Sequence, residues 1–138
     1  MTELPGIPEL RWLGSAGDAT ADGKGLVLRA GPATDWFADP SGAAPIRSAP
    51  VLAGDVDGDC QVTARVTVAF GAVFDAGVLF LHRDDDTYAK LCFEQSPEGE
   101  ATVVSVVTRQ SPTGAGCTAR FEEIGWTATT LADPRDGS

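Results

Sequence analysis

The stretch that decides the fold begins Phe74-Asp-Ala-Gly-Val-Leu-Phe-Leu-His82, continues through Arg83-Asp-Asp-Asp-Thr87, and reaches Tyr88-Ala-Lys-Leu-Cys-Phe-Glu94. After it come Ser96-Pro-Glu-Gly-Glu100 and the apolar run from residue 103 to 108. Polar residues, proline and glycine between apolar runs favour tight reversals of the chain. The stretch therefore predicts antiparallel strands joined by hairpins.

The middle strand of this stretch carries polar side chains on one face only. Successive side chains of a strand point to opposite faces. One face holds Tyr88, Lys90, Cys92 and Glu94; the other holds Ala89, Leu91, Phe93 and Gln95. The second face suits a core, and the first could hold a ligand.

The rest of the chain also shows a period of two. Residues 60–70 alternate apolar and polar side chains, which predicts a long half-buried strand, and residues 10–13 and 25–30 predict short strands. We expect residues 39–45, with two prolines, to form an irregular loop. Residues 60–109 predict a four-stranded antiparallel meander, and the whole predicts an all-β fold of two packed sheets, a sandwich or jelly roll.

Composition limits the partners. The chain of 138 residues has 10 basic and 20 acidic residues, a formal charge of −10 that disfavours nucleic acid and anionic membrane surfaces. We expect one domain without a leader or membrane span, located in the cytoplasm. Three cysteines without close spacing predict neither a disulfide framework nor a metal site, and no glycine motif predicts a cofactor.

With these residues in place, the chain resembles the regulation-of-enolase-like family of domains of unknown function (domain of unknown function 1349), within the concanavalin A-like lectin and glucanase superfamily. The resemblance covers roughly residues 24–109. It rests on the order and spacing of Thr34-Asp-Trp-Phe37, Val56-Asp-Gly-Asp59, Asp75-Ala-Gly-Val-Leu79, Asp86-Thr-Tyr-Ala-Lys90, Glu94, Gly99 and Val104-Ser-Val-Val-Thr108. It implies a curved two-sheet jelly roll and no established activity.

The resemblance ends abruptly after residue 109. The family continues with a Ser-Asp element and further strands, whereas Arg109 is followed here by Gln-Ser-Pro-Thr-Gly-Ala-Gly-Cys117. Residues 110–138 are therefore expected to be a divergent segment, irregular or produced by a frameshift, with ordinary divergence as the alternative. Missing strands would leave the sandwich incomplete, with an unpaired sheet edge through which the protein could self-associate.

The candidate ligand-binding residues are Tyr88, Lys90, Glu94, Asp75 and Trp36. An aromatic ring can stack on a sugar while a charged pair orients its hydroxyls, and the outer face of one jelly-roll sheet is concave. We expect an open groove that binds a saccharide or another small polar ligand. Each residue also has a structural alternative. Tyr88, Lys90 and Glu94 could form a solvated strand face, and Asp75 could cap a turn. For Trp36 we favour a plug at the end of the sandwich over a place on the rim of a groove.

Three other interpretations were weighed. The only carboxylate pair for a glycosidase is Asp75 with Glu94, and the superfamily's catalytic Glu-x-Asp-x-Glu pattern is absent. Asp55-Val-Asp-Gly-Asp59 lacks the glycine and glutamate that a calcium loop requires. We therefore predict no catalytic residues, no metal and no cofactor. The alternative to ligand binding is a structural or regulatory protein-interaction module.

Overall fold

The computed structural model describes residues 9–38, 41, 43–107 and 118–127, and of residues 126 and 127 only the backbone. These residues contain strands and turns but no helix, so none of them forms a helix able to cross a membrane. The strands are β1 Arg11–Trp12, β2 Asp18–Ala21, β3 Gly25–Arg29, β4 Trp36–Phe37, β5 Ile46–Arg47, β6 Leu52–Ala53, β7 Gln61–Ala69, β8 Ala76–Asp84, β9 Thr87–Gln95, β10 Ala101–Val106 and β11 Thr118–Thr127. The predicted all-β class is confirmed.

Two main antiparallel sheets form the domain. One has the order β2-β3-β11-β7 and the other the order β10-β9-β8, while β1-β6 and β4-β5 form two short ribbons. The sheets face each other at Gly77, because a Cβ built there would lie 2.5 Å from Val66 and 3.3 Å from Ala119. The architecture is thus a two-sheet antiparallel sandwich, as expected.

The predicted four-stranded meander over residues 60–109 is wrong. Only β8, β9 and β10 form a meander, whereas β7 pairs with β11 in the opposite sheet. The turn before β8 makes this change of sheet: the Asp75 carboxylate accepts hydrogen bonds from the backbone N–H groups of Gly71 and Ala72, both at 2.9 Å, and Phe74 has a φ of 69°. Alternation within β7 predicted a strand correctly but carried no information about its distant partner.

Residues 118–127 lie within the segment expected to be divergent, yet they form the regular strand β11. This strand lies between β3 and β7, with Phe121 opposite both Leu26 and Val66. Irregular structure is therefore wrong for this part. Residues 108–117 and 128–138 lie outside the described residues, and the frameshift hypothesis stays a prediction.

The core lies between the two sheets. Its buried members are Leu26, Val68, Ala119 and Phe121, and Phe93 of the meander packs against them. Phe93 also meets Phe70 edge to face, with ring centroids 5.3 Å apart. The face of β9 that carries Phe93 therefore points toward the opposite sheet, and the face with the polar row points away from it.

Candidate functional site

The polar row of β9 is buried, not open. Tyr88, Lys90, Cys92 and Glu94 are only 4%, 7%, 4% and 7% exposed, whereas Leu91 on the other face is 49% exposed. The predicted alternation is confirmed, but the predicted open groove is wrong. The reason is that another part of the chain lies over this face.

The covering segment, here called the strap, consists of residues 34–38 and 43–49 and includes β4 and β5. Its Trp36 ring packs edge-on against Phe80, His82 and Tyr88, at centroid distances of 5.2, 5.8 and 5.5 Å. The indole N–H donates to the Ala49 carbonyl at 2.9 Å. Trp36 is 3% exposed, so it covers the sheet and does not rim a groove.

Lys90 ties the strap to the sheet. Its ammonium donates to Asp35 Oδ1 at 3.1 Å and to the Trp36 carbonyl at 2.9 Å. Burial raises the pKa of Asp35, and the nearby Lys90 charge opposes this rise. The second carboxylate oxygen, Asp35 Oδ2, is buried and has no hydrogen-bond partner among the described residues.

Glu94 lies at the other end of the row. On an extended strand its Cα is roughly 13 Å from that of Lys90, four residues away. The pKa of Glu94 is raised by burial, with an opposing effect from Lys90 and a further rise from Asp35. No hydrogen bond to its carboxylate occurs within the part of the chain that the structure describes, so this buried acid has no close donor there.

Between these groups lies Cys92. Burial raises the pKa of its thiol to about 11, so it is neutral at physiological pH. The Tyr88 hydroxyl is also held neutral, since burial raises its pKa and Asp35 adds to the rise. The groups of the row that can carry a charge are therefore Lys90 and Glu94, and the strap adds Asp35.

A cavity of about 1370 Å³ adjoins the row. Asp35, Trp36, Tyr88, Lys90, Cys92 and Glu94 line it together with apolar side chains such as Leu26, Leu28 and Phe121. Ligand sites typically combine a mostly apolar wall with a few convergent polar groups. Because Leu26, Leu28 and Phe121 belong to the core between the sheets, the cavity extends beyond the row, and only the part beside Lys90, Cys92 and Glu94 is the candidate ligand site.

Asp75 is placed differently from the other predicted site residues. Its carboxylate caps the turn before β8 through the two backbone bonds described above, which is the structural alternative weighed for it. The Asp75 side chain is 6% exposed and serves to shape the chain. This role removes the support for pairing Asp75 with Glu94 as glycosidase carboxylates.

Sequence reasoning did not identify Asp35 as the partner of Lys90. The two residues are 55 positions apart in the sequence. The one sequence feature that pointed to Asp35 was its place beside Trp36 in the motif Thr34-Asp-Trp-Phe37. Within the described residues no group of three or more His, Cys, Asp or Glu side chains is arranged to hold a metal ion. The acidic loops at residues 55–59 and 84–86 thus do not assemble a metal site there.

Comparison with known families gives one match. A family of proteins of unknown function, DUF1349, matches residues 12–111, which include the strap and strands β7 to β10 and end before β11. No curated protein matches the chain. Because the match covers well over half of its length, the chain belongs to the DUF1349 family of proteins of unknown function.

Proposed function

We propose that this domain binds a small polar ligand, a saccharide, in the cavity beside β9, without catalytic turnover. The proposal includes a concanavalin A-like ancestry, in which the ligand side of the sheet is the face that carries Tyr88, Lys90 and Glu94. The observation that carries it is Glu94, which is 7% exposed, lines the cavity and accepts no hydrogen bond from the residues that the structure describes. Burying an unsatisfied charged group is costly unless a partner arrives.

The composition of the wall supports a hydroxylated ligand. Asp35 Oδ2 and the Glu94 carboxylate are acceptors without described donors, and sugar hydroxyls are donors. Tyr88 and Trp36 also line the cavity.

Entry of the ligand requires the strap to move. The outer part of the strap is held to the β8–β9 hairpin by Arg47, which donates to the Asp85 carbonyl at 3.1 Å and pairs with Asp86 at 3.0 Å. Asp86 is 91% exposed at its side chain, and exposed ion pairs contribute at most about 1 kcal/mol. These outer contacts therefore oppose opening only weakly. The main resistance comes from the buried bonds of Lys90 to Asp35 and to the Trp36 carbonyl.

Isothermal titration calorimetry with a panel of neutral mono- and disaccharides tests the proposal. We expect at least one sugar to bind with a Kd of about 1 mM or tighter, equivalent to about 4 kcal/mol. Glu94→Ala should weaken that binding about tenfold or more, while Glu98→Ala, in the exposed turn at residues 96–100, should not. Circular dichroism shows whether each variant is folded, and a panel without binding would refute the proposal.

A second candidate function is a protein-interaction module, favoured by the part of the Phe93 face of this sheet that the opposite sheet leaves uncovered. Leu81, Leu91 and Val103 are 68%, 49% and 67% exposed there. Contiguous exposed apolar side chains mark interaction surfaces more often than isolated ones do. Sedimentation velocity over a range of protein concentrations tests self-association through this face: Leu91→Lys should abolish it, and a monomer at every concentration would argue against it.

A further inference from the structure

We infer that the ligand carries a protonated amino group bound by Glu94, and is thus an amino sugar or a similar hydroxylated amine. This inference rests on the proposed function, since it requires a ligand in the same cavity. It goes further by giving that ligand a positive charge and by naming Glu94 as the residue that binds the charged group. Three features of the row support it.

The first feature is the pairing of charges. Lys90 is the cation of the row, and its ammonium already bonds to Asp35 Oδ1 and to the Trp36 carbonyl. The extended strand separates the Cα atoms of Lys90 and Glu94 by roughly 13 Å. Lys90 therefore pairs with Asp35 at one end of the row. At the other end, no described residue forms an ion pair with Glu94.

The second feature is the surroundings of Glu94. The residues directly opposite it on the neighbouring strands are Ala76 on β8 and Thr102 on β10, neither of which is charged. On β9 itself the nearest residue of the same face is Cys92, whose thiol is neutral. From the strap, Asp35 contributes only further negative charge. The positive charge of Lys90 acts on Glu94. The hydrogen bonds of its ammonium, however, go to Asp35 and to the Trp36 carbonyl.

The third feature is the chemistry that a buried carboxylate accepts. Such a group becomes stable either by taking up a proton or by contacting a cation. The described residues form no group able to hold a metal ion, which leaves an organic cation as the fitting partner.

Glucosamine, glucose and N-acetylglucosamine form the test set, because they share a ring and only glucosamine carries a charge. By calorimetry at pH 6.5 we expect glucosamine to bind about tenfold tighter than glucose, which is about 1.4 kcal/mol. N-acetylglucosamine should show no such advantage. The Glu94→Gln variant should reduce the glucosamine-to-glucose ratio to about 2 or less, while Glu98→Gln keeps the wild-type ratio.

The wild-type protein gives an independent measurement if Glu94→Gln does not fold. Lowering the pH from 7 to 4 protonates Glu94, so the preference for glucosamine over glucose should disappear. Glucose binding without a preference for glucosamine, or a preference unchanged at pH 4, would overturn this inference and leave the proposed function standing. Absence of binding by all three sugars and by the neutral panel would overturn both.

Discussion

The two sheets approach each other closely at Gly77, and its substitution by alanine gives a quantitative test of the packing. A Cβ at this position would lie 2.5 Å from Val66 Cγ1, 3.0 Å from Val68 Cγ2 and 3.3 Å from the Ala119 Cβ. Carbon atoms in van der Waals contact are normally about 3.5–4.0 Å apart. The first of these contacts must therefore lengthen by about 1 Å, and the stiff β-branched side chain of Val66 has little freedom to yield.

Two opposing effects set the magnitude. Overpacking of a core by a methyl group costs about 1–3 kcal/mol. Replacing glycine by alanine where the backbone permits it stabilises by about 0.4–1 kcal/mol, because the unfolded chain loses freedom. Gly77 is absent from the glycines with positive φ, so this gain applies. We expect Gly77→Ala to lower the free energy of unfolding by about 1–2 kcal/mol.

Urea unfolding followed by tryptophan fluorescence measures this change. Gly31→Ala is the matched control, because the nearest atom to its added Cβ is 3.9 Å away and its φ is not positive. That variant should be neutral or slightly stabilised. Adding Val66→Ala to Gly77→Ala should recover about 1 kcal/mol relative to the sum of the single variants, as expected for residues in contact. A Gly77→Ala protein as stable as the wild type would refute the close approach of the sheets.

Three further predictions follow from the buried row. Lys90→Met leaves Asp35 buried without its cation and should cost about 3–5 kcal/mol in urea unfolding; a loss under about 1 kcal/mol would contradict the pairing. Since burial raises the pKa of Glu94, its contribution to stability is complete below its unfolded pKa of about 4.3 and is lost as pH rises through the folded pKa. The stability of the wild type relative to Glu94→Gln should therefore fall from pH 4 to pH 7, and a constant difference would exclude a perturbed Glu94. With a pKa of about 11 and 4% exposure, Cys92 should react with iodoacetamide at pH 8 far more slowly than the half-buried Cys60; mass mapping that finds equal rates would show that the row is open.

Local pattern predicted the strands well and their pairing poorly. The alternation in residues 60–70 and 87–95 defined β7 and β9 because each side of a strand meets a different environment. The partner of β7 is β11, about 50 residues further along the chain. The apolar–polar alternation of β7 would be the same whichever strand it paired with, so it does not predict the partner. The turn at Asp75 that sends β7 and β8 to different sheets depends on side chain to backbone bonds that no periodicity reveals.

The composition of the candidate site was predicted, whereas its burial was not. Alternation grouped Tyr88, Lys90 and Glu94 correctly, and the polar character of the row suggested a face in contact with solvent. The strap reverses this expectation because Asp35 and Trp36 supply the hydrogen-bond acceptors and the aromatic surface that allow Lys90 to be buried. Such compensation comes from residues more than 50 positions away, so it is visible only in three dimensions.

The β8–β10 sheet inverts the usual distribution of polar and apolar side chains. Its face with Lys90 and Glu94 is buried, while Leu81 and Val103 on the other face are more than half exposed. Both arrangements cost free energy in an isolated domain, and a ligand on the first face or a protein on the second would reduce that cost. Because alternate residues of one strand serve the two faces, Glu94→Gln and Leu91→Lys perturb them separately. If Glu94→Gln alone weakens binding of a partner molecule, the domain acts through its buried face. If Leu91→Lys alone does so, the domain acts through the other face.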